Sequence, residues 1–167
     1  PDGWTSGDAA GLPIFPGLVR YDEVESGEIR HALRFTVDIS RTSWVWPARH
    51  QSGATGDVNA PPMGLRLRMK AGYNLPGATP RVRTILAALK KYGMMVADNG
   101  TDWYLNGVPD PRWDDDELSV INDIPGSAFE VVEVASLQLG PDSGATPHLF
   151  SDGFDGGSAQ HWSVVAP

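Results

Sequence analysis

The chain has 167 residues, a formal net charge of −8 and a pI of about 4.8. This acidic balance gives no long-range attraction to nucleic acid or to an anionic membrane surface, so neither is expected as a partner. The absence of cysteine excludes a disulfide framework, a thiolate metal site and a cysteine nucleophile. No apolar run is long enough to span a membrane. The 19 glycines and 14 prolines favour a β-rich fold with many turns.

Composition divides the chain into a globular part and a tail. Residues 1–139 predict one β-rich domain, whereas residues 140–167 are rich in Gly, Pro and Ser, as in an extended tail. We expect the tail to extend over the domain or to add an edge strand near Trp162. Because no Met precedes Pro1, we also expect a processed boundary with a further segment upstream.

The N-terminal third predicts an ordered loop followed by two strands. Residues 28–37 alternate, with apolar side chains and His31 on one face, so His31 is expected to be buried and hydrogen-bonded. Residues 43–50 predict a second strand, with Arg49 and His50 at the rim of the sheet.

The centre of the chain carries the clearest helix signals. Thr79 is a suitable N-cap, and Pro80 tolerates the first helical position because its missing N–H has no partner there. Apolar residues then recur at helical spacing, and Gly93 suits the left-handed conformation that ends a helix. We therefore predict an α-helix over residues 79–92, and a second, short helix from about Asp114.

Three further strands are expected around this helix. Residues 64–72 alternate between apolar and basic side chains, which predicts a half-buried strand with Arg66 facing outward. The dipeptide Asn99-Gly100 separates two short apolar runs, the pattern of a β-hairpin. A last strand is expected near the end of the domain, with Val131 facing inward.

These elements predict a mainly β fold, an antiparallel sandwich or jelly-roll sheet with the helix over residues 79–92 packed against it. The alternative is a double-psi barrel, because residues 61–70 followed by 92–100 resemble the strand pairs of barwin-like and lytic-transglycosylase barrels. Both architectures place a cleft along a sheet face.

Four side chains are candidates for acid–base catalysis: Asp98, Asp22, Glu23 and His31. Glycoside hydrolysis uses two carboxyl groups, one as acid and the other as base or nucleophile. Neighbouring residues of a strand point to opposite faces, so at most one of Asp22 and Glu23 would enter a cleft, and a solvated loop is the alternative. Asp98 would end a strand beside an apolar cleft, which raises a carboxyl pKa, or would instead cap the following turn.

Five side chains are candidates for substrate binding: Tyr21, Arg49, His50, Trp46 and Trp103. Flat aromatic rings stack on the apolar faces of sugars, although tryptophans in a small domain also serve as core. The histidines match no metal-ligand spacing, and the sequence holds no phosphate-binding loop or nucleophile elbow. No metal and no cofactor are therefore predicted.

The order of segments resembles a family of secreted bacterial proteins of uncharacterised function that is common in soil bacteria. The collinear segments within residues 1–132 are GLPIFPGLVRYDEV, GEIRHALRFTV, WVWPARH, PPMGLRLRMKA, ALKKYGMMVADNG, WYLNGVPDPRW and FEVV. In such proteins a β-rich segment precedes the PDGWTS stretch, so a site shared with that segment would be completed upstream. The tail sequence SDGFDGGSAQHWS resembles the DGFESGDxSxWS segments of extracellular, often polysaccharide-associated bacterial proteins.

Together these features predict a secreted, extracellular carbohydrate-active protein, a polysaccharide hydrolase with carboxylate acid–base chemistry. The alternative is a carbohydrate-binding module without catalysis, or a structural module of an extracellular filament or surface. The expected partners are a polysaccharide or glycan and the protein's own N-terminal segment or neighbouring subunits. The hydrolase requires Asp98 and either Asp22 or Glu23 to line one cleft, about 5 to 10 Å apart.

Overall fold

A computed structural model of the protein describes residues 7–138 and residue 140. The helices and strands are α1 (Ile14–Gly17), α2 (Tyr21–Ser26), β1 (Leu33–Val37), β2 (Arg66–Met69), α3 (Pro80–Lys91), β3 (Met94–Asn99), β4 (Tyr104–Leu105), α4 (Asp115–Ser119) and β5 (Phe129–Val131). Short 3-10 helices cover Val120–Asp123, Gly126–Ala128 and Ala135–Leu137. None of the helices in this part of the chain is long and apolar enough to cross a membrane. The edge strand expected near Trp162 lies outside the described residues.

The strands form one five-stranded sheet in the order β4-β1-β3-β2-β5. The sheet is mixed, because β1 and β3 run parallel while the other neighbouring pairs are antiparallel. A parallel pair needs a long connection, and here β2 and α3 lie within it. The expected β-rich fold is thus present in outline, with a mixed rather than antiparallel sheet that is not closed into a barrel.

The β-hairpin predicted at Asn99-Gly100 is not formed, and that prediction is wrong. β4 pairs with β1 instead of β3, and the Gly100 N–H donates to the carbonyl of Val37 at 2.9 Å. The reason is burial: β1 contributes the fully buried Leu33 and Phe35, whereas β4 has two residues and is largely exposed. Placing β1 beside β3 therefore buries more apolar surface than a local hairpin would.

The helix α3 forms where the sequence predicts it. The Thr79 hydroxyl accepts a hydrogen bond from the Val82 N–H at 3.3 Å, and Pro80 occupies the first turn. Gly93 follows the helix with a φ of 74°, as expected for the residue that ends it. The apolar stripe, with Leu86 at its middle, is buried and packs against β2.

Residues 43–50 do not form the expected strand. They make one isolated bridge, between Trp44 and Met63. Pro47 has no N–H to donate to a ladder, which limits the pairing that this segment can make.

Two further expectations about side-chain direction are wrong. Arg66 is buried, and its guanidinium donates two hydrogen bonds to the carbonyl of Tyr92. This contact satisfies a polar group that would otherwise be unpaired in the interior. Val131 is 66% exposed and belongs to β5, a short strand at the edge of the sheet.

One face of the sheet positions the site. Phe35 lies opposite Val96 in the strand pairing, and Leu67 lies opposite Met94, so these side chains share a face. At one end of this face, α3 and the residues after α4 close over the strands around Leu89, Met94, Trp103, Leu105, Ile121, Ile124 and Phe129. At the other end, loops lie beside the same face, and the side chains of Phe35, Val37, Leu67 and Val96 are buried there.

Candidate functional site

A groove of about 600 Å³ lies between these loops and the sheet face. Its floor is apolar and comes from three strands and their flanks: Phe35, Val37, Leu65, Leu67 and Val96. Its border comes from residues 38–39, residues 55–61 and residues 102–103. A volume of this size lies within the range of about 300 to 1,000 Å³ that is usual for ligand pockets.

Trp103 forms part of the groove border and is held by packing. Its ring stacks on Phe35 with centroids 5.6 Å apart and planes at 26°, and it contacts Phe129 at 5.3 Å. Its backbone has a φ of 57°, a rare value for a residue with a side chain. The residue is 38% exposed and belongs to the groove lining. The structure thus places this predicted binding residue at the groove.

The segment 55–61 is fixed at both ends. The Arg41 N–H donates to the carbonyl of Pro61 at 2.9 Å, and the Thr42 N–H donates to the carbonyl of Thr55 at 2.8 Å. Since both ends are tied to the chain that follows β1, this border of the groove has a defined position relative to the sheet.

Three carboxylates border the groove. Asp102 Oδ1 accepts the backbone N–H of Asp38 at 2.7 Å, which holds these two residues together. Asp57 Oδ1 accepts the backbone N–H and the side-chain amide of Asn59 at 2.9 and 3.0 Å. The Asp38 carboxylate is exposed and accepts no hydrogen bond from any residue that the structure describes. Each carboxylate therefore keeps oxygen atoms available to a ligand.

Sequence reasoning missed these three carboxylates. Asp38 follows β1 directly and Asp102 precedes β4, so both lie at strand ends, where polar side chains can border a sheet face. Their positions at strand ends could be read from the sequence. Asp38 and Asp102 come together only because β4 pairs with β1, and this pairing was not predicted. Asp57 lies in a segment that the sequence identified only as a polar loop.

The predicted acid–base residues Glu23 and His31 lie together, away from the groove. His31 Nε2 is 3.1 Å from Glu23 Oε2, and His31 Nδ1 is 2.9 Å from the carbonyl of Ala32. Glu23 also pairs with Arg20 at 2.5 Å. Both ring nitrogens thus lie within hydrogen-bonding distance of oxygen atoms. This cluster ties α2 to the start of β1.

Asp98 lies at the other end of the central strands. It is the register partner of Thr36, near the end of β1, and its Oδ1 accepts the N–H of Asn99 at 2.8 Å. Four steps along β3 separate Met94 from Asp98, about 13 Å at the usual rise of a strand. The structure therefore does not bring Asp98 into one cleft with Glu23.

Asp22 and Tyr21 belong to a surface cluster. The Asp22 side chain is 83% exposed and pairs with Arg112 at 2.9 Å. The Tyr21 ring is flanked by Arg112 at 4.1 Å and Arg81 at 5.6 Å, and it meets the Trp113 ring at 4.9 Å. Its aromatic surface is therefore engaged by protein groups.

The remaining predicted binding residues also lie outside the groove lining. The Arg49 N–H donates to the carbonyl of Ala10 at 2.8 Å, and His50 lies against Gly11. Trp46 is buried. Within the described residues, no group of three or more His, Cys, Asp or Glu side chains is placed to hold a metal ion.

The fold and the groove define a small mixed-sheet domain with one partly open sheet face. No protein-family model, curated protein or solved structure matches the chain. The family suggested by the order of sequence segments therefore stays a prediction, and the geometry of the groove is the basis for a functional proposal.

Proposed function

We propose that this protein is a secreted carbohydrate-binding protein that holds a glycan chain in the groove. The observation that carries the proposal is the position of Trp103, a partly exposed residue that is fixed by its contact with Phe35, beside the polar groups that border the groove. An aromatic ring stacks on the apolar face of a sugar, while carboxylates and the Asn59 amide hydrogen-bond to its hydroxyl groups.

A polysaccharide hydrolase is the second candidate. It is favoured by the presence of carboxylates from three separate segments at one groove, because glycosidases use two such groups. In such a hydrolase, one of the two carboxyl groups would be that of Asp57 and the other that of Asp38 or Asp102. Asp98, the acid expected from the sequence, lies outside the groove lining.

Binding is tested by affinity electrophoresis of the protein against a panel of soluble polysaccharides. We expect Trp103→Ala to weaken binding by about tenfold, because it removes the stacking surface. Trp44→Ala is the matched control, since Trp44 is 43% exposed and lies outside the groove lining. This control should bind like the wild type.

A second variant covers the case in which Trp103→Ala fails to fold. Asn59→Ala changes an exposed polar group of the groove border and should weaken binding several-fold. Failure of the wild type to retard on any polysaccharide, or unchanged binding of both folded variants, would contradict the proposal. Release of reducing ends from a bound polysaccharide, abolished in Asp57→Asn, would establish the hydrolase instead.

A further inference from the structure

We infer that Asn106 is a site of spontaneous deamidation in the folded protein, whereas Asn99, which is also followed by a glycine, is protected by its contacts. This inference is independent of the proposed function. It follows from the different surroundings of two identical dipeptides, Asn99-Gly100 and Asn106-Gly107.

An Asn-Gly dipeptide carries both reacting groups of the deamidation reaction. The backbone nitrogen of the glycine attacks Cγ of the asparagine, so that a new C–N bond forms and the Cγ–Nδ2 bond breaks. The glycine N–H proton leaves with the amide nitrogen as ammonia, and a cyclic imide remains. Water then opens the imide: attack at Cγ gives aspartate, and attack at the backbone carbonyl carbon gives isoaspartate. Glycine favours the first step, because it has no Cβ to obstruct the nitrogen and restricts the backbone least.

Asn99 is held in an unreactive arrangement by three hydrogen bonds. Its Oδ1 accepts a hydrogen bond from the Ser40 hydroxyl at 2.6 Å, and its Nδ2 donates to the carbonyl of Ser52 at 2.7 Å. The attacking atom is also engaged, because the Gly100 N–H donates to the carbonyl of Val37 at 2.9 Å. These bonds have to open before the nitrogen and Cγ can meet.

The Asn106 side chain lacks such contacts. Its Oδ1 is buried without a hydrogen-bond partner, and its Nδ2 donates to none of the residues that the structure describes. Gly107 is exposed, and its N–H donates to no residue in this part of the chain. Since a buried oxygen without a partner destabilises the position it occupies, the Asn106 amide leaves its position at less cost than the Asn99 amide does.

The backbone at Asn106 also opens more easily. The attack requires rotation of the peptide unit between Asn106 and Gly107, which breaks the bond from the Val19 N–H to the Asn106 carbonyl, at 2.9 Å. Asn106 follows β4, a two-residue strand at the edge of the sheet, whereas Asn99 ends β3, the central strand. Short edge elements open locally more often than the middle of a sheet.

Isoaspartate at position 106 would disturb the end of β4. The main chain of isoaspartate runs through Cγ, so the backbone gains one carbon atom there. The N–H and carbonyl of Asn106 bond to Arg34 and Val19, and the added atom prevents both bonds from keeping their geometry. Formation of isoaspartate therefore loosens the pairing of β4 with β1 and with the segment before α2.

The test follows both dipeptides in one sample. Wild-type protein is incubated at mildly alkaline pH, and the tryptic peptide that spans residues 92–112 and contains both sites is fragmented in a mass spectrometer. We expect Asn106 to deamidate at least about tenfold faster than Asn99, since each hydrogen bond that must open lowers the reactive population by about two- to tenfold. In urea, where the fold is lost, the two dipeptides should react at similar rates.

Two variants alter one site each. Gly107→Ala places a Cβ beside the attacking nitrogen, and the nearest atom of the surrounding fold, the carbonyl oxygen of Val19, lies 3.5 Å from this Cβ, so the chain accommodates it. This variant should deamidate at Asn106 no faster than at Asn99. Ser40→Ala removes the hydrogen bond to Asn99 Oδ1 and should speed deamidation of Asn99 several-fold, with Asn106 unchanged.

The melting of the incubated samples tests the effect on β4. Incubated wild type should gain a transition several degrees below that of fresh protein, and incubated Gly107→Ala should not. Unchanged melting of a sample that contains isoaspartate at position 106 would overturn the effect on β4. Equal rates at Asn99 and Asn106 in the folded protein, or reaction of Asn106 in urea alone, would overturn the assignment of the site.

Discussion

At the scale of single residues, Gly93 has little freedom to change. Its φ is 74°, and an added Cβ atom would lie 2.2 Å from the carbonyl oxygen of Leu67. Any side chain at this position therefore combines backbone strain with a clash against backbone atoms of β2, which cannot yield as a flexible side chain would.

Gly93→Val should lower the free energy of unfolding by more than about 2 kcal/mol, since strain in this region alone costs about 1 to 3 kcal/mol. Urea unfolding followed by circular dichroism measures the change. Gly72→Ala is the control, because nothing lies within 4 Å of its added Cβ and its φ is not positive. Equal stability of the two variants would show that the backbone of Gly93 is not constrained as described.

The titration of Asp110 reports the contact between its carboxylate and Arg112. Hydrogen bonds from the Arg112 guanidinium, and secondarily from the Arg112 backbone N–H, lower its pKa from 3.8 to about 2. The folded state thus favours the ionised carboxylate. The resulting contribution to stability is present above pH 3.8 and is lost as the pH falls through about 2.

Arg112→Ala should therefore raise the pKa of Asp110 part of the way back to 3.8, because the backbone N–H remains. The pKa is measured from the carboxyl carbon shift of Asp110, which is followed by NMR from about pH 1.5 to 6, the window in which carboxylates titrate. Arg83→Ala changes an arginine that does not contact Asp110 and should leave the curve unmoved. An unchanged curve in Arg112→Ala would assign the shift to another cause.

At the scale of elements, α3 was predictable because its signals are local. The N-cap at Thr79, Pro80 in the first turn and Gly93 after the last turn all act within one or two turns of the chain. No knowledge of the rest of the fold was needed to place this helix.

Strand pairing was not predictable in the same way. Whether Met94–Asn99 pairs with the strand next in sequence or with Leu33–Val37 depends on how much apolar surface each arrangement buries, and this is a property of the whole fold. The same limitation applies to the site. Trp103 was identified from its residue type, but the carboxylates that accompany it are brought together only by nonlocal pairing.

The packing of α3 is tested by Leu86→Ala. Leu86 is buried in the middle of the helix stripe, so its truncation should lower the free energy of unfolding by about 2 to 5 kcal/mol. Lys90→Ala, on the same helix outside the buried set, should change stability by less than about 0.5 kcal/mol. A melting temperature of Leu86→Ala within about a degree of the wild type would contradict the packing of α3 against the sheet.

At the scale of the whole molecule, ion pairs cover only part of an acidic surface. Arginines pair with carboxylates around α2 and α3. The carboxylates at the groove have no cationic partner among the described residues, and neither do Asp115 and Asp123 in and after α4. The net charge of −8 is therefore neutralised locally at some surfaces and not at others.

The most direct test of this account is to map where a glycan binds. Isotope-labelled protein is titrated with an oligomer of a polysaccharide that it retains in affinity electrophoresis, and backbone amide shifts are followed by two-dimensional NMR. The account predicts that the largest changes occur at residues 37–39, 55–61 and 102–103, which border the groove. Changes confined to the cluster of Tyr21, Arg81 and Arg112, or no changes at saturating oligomer, would contradict it.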